Sequence, residues 1–156
     1  MRELGHMVVE LGLGYTRRLA KRFPAPIRGM MNAHDQMILI VEDEPLIAML
    51  LADLLGDAGF ATAEAGNPAQ AFAYVEEHGL PDLIISDQSM PGMTGTAMAA
   101  AIIAKYGPVP VVVATGHAFG PDMVYPILPK PYVAADVLAI VRSIIGGTES
   151  SADRRG

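Results

Sequence analysis

Four carboxylates stand at the ends of two apolar runs in this chain. Glu42, Asp43 and Glu44 directly follow the first run, and Asp87 ends a later one. Strand ends of the same polarity share one edge of a parallel sheet, so these carboxylates can meet there although they are distant in sequence. Like charges repel unless a cation joins them or one takes a proton. The pattern therefore predicts a hard metal ion beside a reactive carboxylate.

A hydroxyl and an ammonium group, those of Thr115 and Lys130, end two further runs. The set suits phosphoryl transfer, in which catalysis consists mainly of neutralising charge and aligning attacker and leaving group. We predict that Asp87 is the nucleophile, and that Asp43 binds Mg²⁺ directly with Glu42 alongside or acting through water. Mg²⁺ prefers oxygen ligands and keeps several waters. Lys130 should pair with one phosphoryl oxygen, and Thr115 should donate a hydrogen bond to another.

Each of these residues also has a simpler interpretation. An acid in the first turn of a helix stabilises the helix by roughly 0.3 to 1 kcal/mol through its interaction with the helix dipole. This effect alone is enough to explain Glu44. Thr115 could merely end a strand, and Lys130, between two prolines, could be a loop lysine. The chemical interpretation is favoured because all these residues follow strand-like runs. The Lys130–Pro131 bond is a candidate cis peptide, against a frequency of about 5 to 6% for such bonds.

The elements that must position these residues follow from an alternation of short apolar runs with longer helical ones after Met37. This alternation is typical of βα units on a parallel sheet. The predicted strands are Met37 to Val41, Phe60 to Glu64, Leu83 to Ser86, Val109 to Ala114 and Val124 to Leu128. The predicted helices run from Pro45 to Gly56 or Gly59, Asn67 to His78, Thr94 to Lys105 and Val133 to Ile145. The crossover from Gly116 to Met123 contains Gly120-Pro121 and leaves room for one helical turn at most.

The apolar faces of the first and last helices should pack on the sheet. In the first helix one stripe is predicted, formed by Leu46, Ile47, Leu50, Leu51, Leu54 and Leu55. In the last helix the inner face is predicted to contain Val137, Ile140, Val141 and Ile144.

Composition and charge exclude several classes of protein. The 156 residues, 51% of them hydrophobic, suffice for one well-buried domain. The absence of Cys excludes disulfides and thiolate metal sites. No uninterrupted apolar stretch approaches the roughly 18 residues of a membrane span, and Glu10 interrupts any secretory signal, so we expect a cytoplasmic protein. Residues 36–156 contain five basic and fourteen acidic residues, a formal charge of −9, which disfavours direct nucleic-acid binding.

Three segments are expected along the chain. Residues 1–35 form a basic extension of formal charge +3, with six basic and three acidic residues. We expect it to be disordered; a docking helix for a partner is the second interpretation and contact with a membrane surface the third. Its apolar residues recur at helical spacing: Leu4, Met7 or Val8, Leu11, Tyr15, Leu19 and Phe23. Met30, Met31 or Met37 could also be the true start. Residues 36–146 form the domain, and residues 147–156 a disordered tail.

Four motifs together resemble the receiver domain of bacterial response regulators. They are Val41-Glu42-Asp43-Glu44-Pro45, Asp87-Gln88-Ser89-Met90-Pro91-Gly92-Met93-Thr94-Gly95, Thr115 and Lys130-Pro131-Tyr132, and the resemblance covers about Met37 to Ile145. It implies a flavodoxin-like, doubly wound α/β fold, with a five-stranded parallel sheet of order 2-1-3-4-5 and a fourth helix shortened or replaced by a loop. It implies that Asp87 accepts a phosphoryl group from the phosphohistidine of a histidine kinase or histidine phosphotransfer protein. It also implies that the backbone carbonyl of Ser89 completes the metal site of Glu42, Asp43 and Asp87.

Two features depart from the usual family pattern. Ile127 stands three residues before the lysine, where an aromatic switch residue is usual. The run Val113-Ala114-Thr115-Gly116-His117 is similar to the receiver subgroup named for a Phe-Ala-Thr-Gly-aromatic-Tyr motif, with Val in place of Phe. Members of that subgroup are typically stand-alone receivers with a flexible region in place of the fourth helix.

The function predicted from these residues is that of a single-domain response regulator, a phosphoacceptor and not an enzyme acting on other substrates. It should be a monomer or weak dimer that signals to an unknown output protein by contact. One alternative is a receiver-like binding module that is never phosphorylated. Another is a haloacid-dehalogenase-like phosphatase, which the sequence disfavours because no second Asp follows Asp43 or Asp87 by two residues.

Overall fold

A computed structural model describes residues 36–118 and 123–145 of the chain. The expected extension 1–35 and tail 147–156 lie outside these residues, as do residues 119–122 of the fourth crossover. The described residues form a five-stranded parallel sheet of order β2-β1-β3-β4-β5, and this order confirms the predicted fold. The strands are β1 (Met37–Val41), β2 (Ala61–Ala65), β3 (Leu83–Asp87), β4 (Val111–Thr115) and β5 (Ile127–Pro129).

Four helices accompany the strands within the described residues. They are α1 (Pro45–Asp57), α2 (Pro68–His78), α3 (Gly95–Tyr106) and α4 (Ala134–Ile145). Two of them begin where side chains cap free backbone amides: Asn67 accepts from the Gln70 amide, and Thr94 accepts from the Ala97 amide. Between β4 and β5 the described residues of the crossover contain no helix, in agreement with the predicted replacement of the fourth helix by a loop.

The core lies in two layers because successive side chains of each strand point to opposite faces of the sheet. Leu39 and Val41 of β1 pack in the layer with α2 and α3. Ile38 and Ile40 pack in the layer with α1 and α4. All five residues of β1 are buried, as are all five of β3 and of β4, which explains their nearly continuous apolar sequences.

Two sequence predictions about packing and strand bounds were wrong in part. The fifth strand is only Ile127–Pro129 and not Val124 to Leu128; Val124 is 87% exposed. The predicted apolar stripe of α1 is split, because Leu51 and Leu55 are buried whereas Leu46 and Leu50 are exposed. A helix on one face of a sheet buries a narrow stripe, and Ala48 takes the buried position in the first half of α1. Within the described residues no helix has the length and hydrophobicity needed to cross a membrane.

Candidate functional site

The candidate site lies at the carboxyl edge of the sheet, where β1, β3, β4 and β5 end side by side. Strand pairing sets Val41 beside Ser86, Asp87 beside Ala114, and Thr115 beside Pro129. The residues that follow these positions therefore share one edge. Such an edge is where ligands bind in open α/β sheets.

Three of the predicted carboxylates meet there. One carboxylate oxygen from each of Glu42, Asp43 and Asp87 lies within 4.8 Å of the other two. Glu42 and Asp87 are buried, whereas Asp43 is exposed. Hard divalent cations such as Mg²⁺ prefer oxygen donors and are commonly bound through one or two carboxylates plus water. The donor set therefore fits Mg²⁺ by ligand type, by closeness and by an open side through which water can reach the ion.

Lys130 links the two buried carboxylates. Its Nζ lies 3.2 Å from Glu42 Oε2 and 3.2 Å from Asp87 Oδ2, and the lysine side chain is 20% exposed. Burial lowers the pKa of Lys130, but its hydrogen bonds and charge interactions with Glu42 and Asp87 outweigh burial, and the net shift is upward. The amine is therefore held as an ammonium beside Asp87, where it can neutralise a developing anion.

The pKa of Glu42 is set by burial and by its two charged neighbours, Lys130 and Asp87. Burial raises its pKa most, the hydrogen bond from Lys130 lowers it, and the negative charge of Asp87 raises it; the net shift is upward. The backbone N–H of Glu44 also donates to Glu42 Oε1 at 3.3 Å. Three carboxylates with one ammonium leave excess negative charge at this edge, which a divalent cation would relieve.

Thr115 and Ser89 are held beside the cluster by backbone contacts. Lys130 N–H donates to Thr115 C=O at 2.8 Å, which joins the ends of β4 and β5. The Thr115 side-chain oxygen accepts the His117 N–H at 3.1 Å, and the Ser89 N–H donates to Asp87 Oδ1 at 3.3 Å. The Lys130–Pro131 peptide bond is cis, as the sequence allowed. The proposed roles of the Thr115 hydroxyl and the Ser89 carbonyl remain predictions.

Three features near Asp87 were not predicted from the sequence. The Gln88 side chain accepts the Thr96 N–H at 2.9 Å and donates to Thr96 Oγ1 at 3.1 Å, which fixes the loop after β3 against the start of α3. Gly95 leaves space for the Asp87 carbonyl oxygen, since a Cβ at Gly95 would overlap it. The third is Tyr132. Its motif, Lys-Pro-Tyr, was visible in the sequence, but its distance to the carboxylates was not.

Tyr132 lies near the carboxylate cluster, and the negative charge of the cluster affects the pKa of its phenol. Burial raises the pKa of the phenol most, and the negative charges of Glu42 and Asp87 raise it further. Lys130 Nζ also lies 5.7 Å from the centre of the Tyr132 ring, within the range of a cation–π contact. Tyr132 therefore stays neutral and forms one wall beside the lysine.

Comparison with known proteins identifies the relatives of this arrangement. The family model of the response regulator receiver domain matches residues 38–127. The DNA-binding response regulator MtrA of Mycolicibacterium smegmatis is 33% identical over 120 residues, which are 72% of this chain and 52% of MtrA. The transcriptional regulatory protein BaeR of Escherichia coli is 32% identical over 115 residues, 69% of this chain and 47% of BaeR. The chain thus spans about half the length of these curated relatives.

Solved structures resemble the fold over a similar range. The chemotaxis protein CheY4 of Vibrio cholerae superposes with a TM-score of 0.63 at 25% identity, covering 69% of this chain and 97% of CheY4. The receiver domain of the hybrid histidine kinase CckA superposes with a TM-score of 0.63 at 31% identity, covering 70% of this chain and 98% of that domain.

Proposed function

Since this chain belongs to the response regulator receiver domain family, we propose that Asp87 accepts a phosphoryl group from a phosphohistidine. The donor is a histidine kinase or a histidine phosphotransfer protein, and the phosphorylated protein signals by contact with another protein. The observation that carries this proposal is the meeting of Lys130 with Glu42 and Asp87, at 3.2 Å each, next to exposed Asp43.

In the proposed reaction a carboxylate oxygen of Asp87 attacks the phosphorus atom. The new P–O bond forms as the P–N bond to the donor imidazole breaks, and the imidazole leaves with the bonding electron pair and takes a proton. Lys130 is positioned to balance charge on the phosphoryl oxygens, and the Thr115 hydroxyl to donate to one of them. The Ser89 N–H, which donates to Asp87 Oδ1, helps to hold the attacking carboxylate in place.

Magnesium is the proposed cofactor, with Asp43, Asp87, Glu42 and the Ser89 carbonyl as the residues that hold it. When bound, it would reduce the repulsion between the incoming phosphoryl group and the carboxylates. The fit rests on the three carboxylate oxygens within 4.8 Å of one another.

We further propose a stand-alone receiver of the Phe-Ala-Thr-Gly subgroup, cytoplasmic, monomeric or weakly dimeric. The run Val113-Ala114-Thr115-Gly116-His117 and the lack of a helix in the described part of the crossover support the subgroup. The acidic body, at −9 for residues 36–156, supports output through protein contact instead of DNA binding. The organisation of the curated relatives, of whose length the matched residues span about half, is not assigned to this chain.

Phosphorylation by a small donor tests the proposal. The full chain is incubated with acetyl phosphate and Mg²⁺, and its intact mass is measured beside the variants Asp87→Asn and Asp53→Asn. Wild type and Asp53→Asn should each gain one phosphoryl unit, because Asp53 is an exposed residue of α1 outside the site. Asp87→Asn should gain none. An unmodified wild type, or equal modification of Asp87→Asn, would contradict the proposal, the former favouring a binding module.

A further inference from the structure

An apolar groove on the outside of the domain has no covering element among the described residues. It lies between α1 and the segment that leads into α4, with a volume of about 730 Å³. We refer to it as the α1 groove, and its lining, which is mostly apolar, includes Ile47, Leu50, Leu51, Leu54, Pro131 and Tyr132. Leu46 and Met49, on the neighbouring outward face, are 71% and 47% exposed. Exposed apolar patches on a protein of this size commonly mark an interaction site.

The outward face of α1 has two unlike halves. Leu46, Met49 and Leu50 are exposed in its first half, near the carboxyl edge of the sheet. Asp53 and Asp57 are exposed in its second half, one turn apart on the same face. The whole helix contains no Lys or Arg. A complementary occupant would be apolar at one end and basic at the other.

Residues 4–23 of the same chain have this pattern. Leu4, Met7, Val8 and Leu11 are apolar in the first half of that stretch, and the basic residues cluster in its second half: Arg17, Arg18, Lys21 and Arg22. The stretch belongs to the +3 extension of a chain whose remaining residues carry −9. Charge therefore favours its association with the acidic second half of α1.

The point where this extension joins the domain sets the direction of such an association. Gln36 is the first described residue, and its Nε2 donates to Ile145 C=O at 2.6 Å, at the last residue of α4. The extension thus enters at the amino edge of the sheet, in the layer of α1 and α4. Residues 24–35 could span up to about 40 Å when extended, whereas α1 is only about 20 Å long. Because α1 runs from the carboxyl edge of the sheet to its amino edge, a segment that lies parallel to α1 and joins the domain at the amino edge would bring its basic half to Asp53 and Asp57 and its apolar half to Leu46 and Leu50.

We propose that residues 4–23 bind in cis along the α1 groove, parallel to α1. The contact is an intramolecular cover over the side of the domain that includes Pro131 and Tyr132, next to the carboxylate site. It does not depend on phosphorylation of Asp87. Because the occupant is tethered, its effective concentration is in the millimolar range, well above that of a second copy in dilute solution.

Engineered cysteine pairs in the full chain test the proposal. The sequence contains no Cys, so no native thiol can form a competing disulfide. Val8→Cys is combined with Met49→Cys, on the exposed face of α1 beside the groove, or with Ala73→Cys, an exposed position of α2 on the opposite face of the sheet. At micromolar protein the groove pair should form an intramolecular disulfide about tenfold faster than the control pair. Equal rates would overturn the proposal. Disulfide-linked dimers forming faster than the monomeric product would instead identify a second copy as the occupant and would also overturn it.

Trypsin sensitivity gives a second measurement that needs no disulfide. Cleavage after Arg17, Arg18, Lys21 and Arg22 is followed in wild type, Leu50→Glu and Ala73→Glu, all of full length. Leu50→Glu should be cleaved several times faster than wild type at these sites, because its charge opposes apolar contact in the groove, and Ala73→Glu should match wild type. Identical rates in all three proteins would refute the cover. Thermal melting of each variant establishes that the domain itself is folded.

Discussion

Replacement of Asp43 by asparagine should affect stability differently in the absence and in the presence of magnesium. The Asp43 carboxylate lies within 4.8 Å of ligand oxygens of Glu42 and Asp87, and among the described residues no salt bridge includes it. At that separation two unit charges repel by about 0.9 kcal/mol in water and about 3.5 kcal/mol at an effective dielectric constant of about 20. Asp43 is exposed, so the lower value applies more closely, and salt at about 0.15 M reduces it by roughly half.

These numbers predict that, without metal, Asp43→Asn has a slightly higher free energy of unfolding than wild type. Two screened repulsions of this size amount to about 1 kcal/mol. They are opposed by the loss of an acid close to the start of α1, worth roughly 0.3 to 1 kcal/mol. Without divalent ions, Asp43→Asn should therefore have a free energy of unfolding equal to that of wild type or up to about 0.7 kcal/mol higher.

With magnesium bound, wild type should instead be more stable than Asp43→Asn. An ion that binds only the native state stabilises it by about 2.7 kcal/mol at a hundred times its dissociation constant. Loss of one carboxylate ligand that weakens binding at least about tenfold removes roughly 1.4 kcal/mol of this gain or more. Urea unfolding followed by circular dichroism, with EDTA and with a series of millimolar Mg²⁺ concentrations, measures both values. Asp53→Asn is the matched control and should respond to Mg²⁺ as wild type does. An equal Mg²⁺ gain in Asp43→Asn and wild type would refute the metal assignment.

Three further substitutions test separate parts of the site. Lys130→Met should lower the free energy of unfolding in EDTA by roughly 3 kcal/mol, because two buried carboxylates lose their cation, and Mg²⁺ should restore part of the loss; urea unfolding measures both. Tyr132 has a pKa raised above 10.0, first by burial and then by nearby negative charge. The neutral phenol therefore contributes its full stabilisation below about pH 10, and this stabilisation is lost as the pH rises towards the folded-state pKa. The variant Tyr132→Phe should lose less stability than wild type in alkali. Its absorbance titration should also lack the tyrosinate step that occurs at the highest pH in wild type. Gly95→Ala should destabilise by about 1 to 3 kcal/mol through overlap with the backbone at the end of β3. Gly56→Ala, with open space around its Cβ, should stabilise α1 by up to about 1 kcal/mol, and a thermal melt that ranked these two variants in the opposite order would refute the packing explanation.

The sheet and the carboxylate cluster could be predicted because they depend on local pattern and on strand polarity. The end of β1 is fixed by the change from Val41 to Glu42, and the end of β3 by Asp87. Parallel strands then bring these ends together whatever lies between them. The order of motifs along the chain was therefore nearly sufficient to place Lys130 near Asp87.

Packing of α1 could not be predicted in the same way. Leu46 and Leu50 are as hydrophobic as Leu51 and Leu55, and all four fit a broad apolar stripe. Which of them is buried depends on the angle at which the helix lies on the sheet and on Ala48, whose small side chain permits close approach. That angle is a tertiary property. The exposed leucines that resulted are the basis of the proposed cover.

Ile127 limits how the site can communicate with the rest of the domain. It occupies the position at which the family usually has an aromatic switch residue, and its side chain, which is 38% exposed here, has no aromatic ring that could change rotamer. The described connection between Thr115, Lys130 and β5 is instead made by the backbone. Lys130 N–H donates to Thr115 C=O at 2.8 Å, and Thr115 pairs with Pro129. A movement of Thr115 towards a phosphoryl group would therefore displace the end of β5 directly, and we expect coupling to the crossover to pass through these two strand ends instead of a side-chain rotamer.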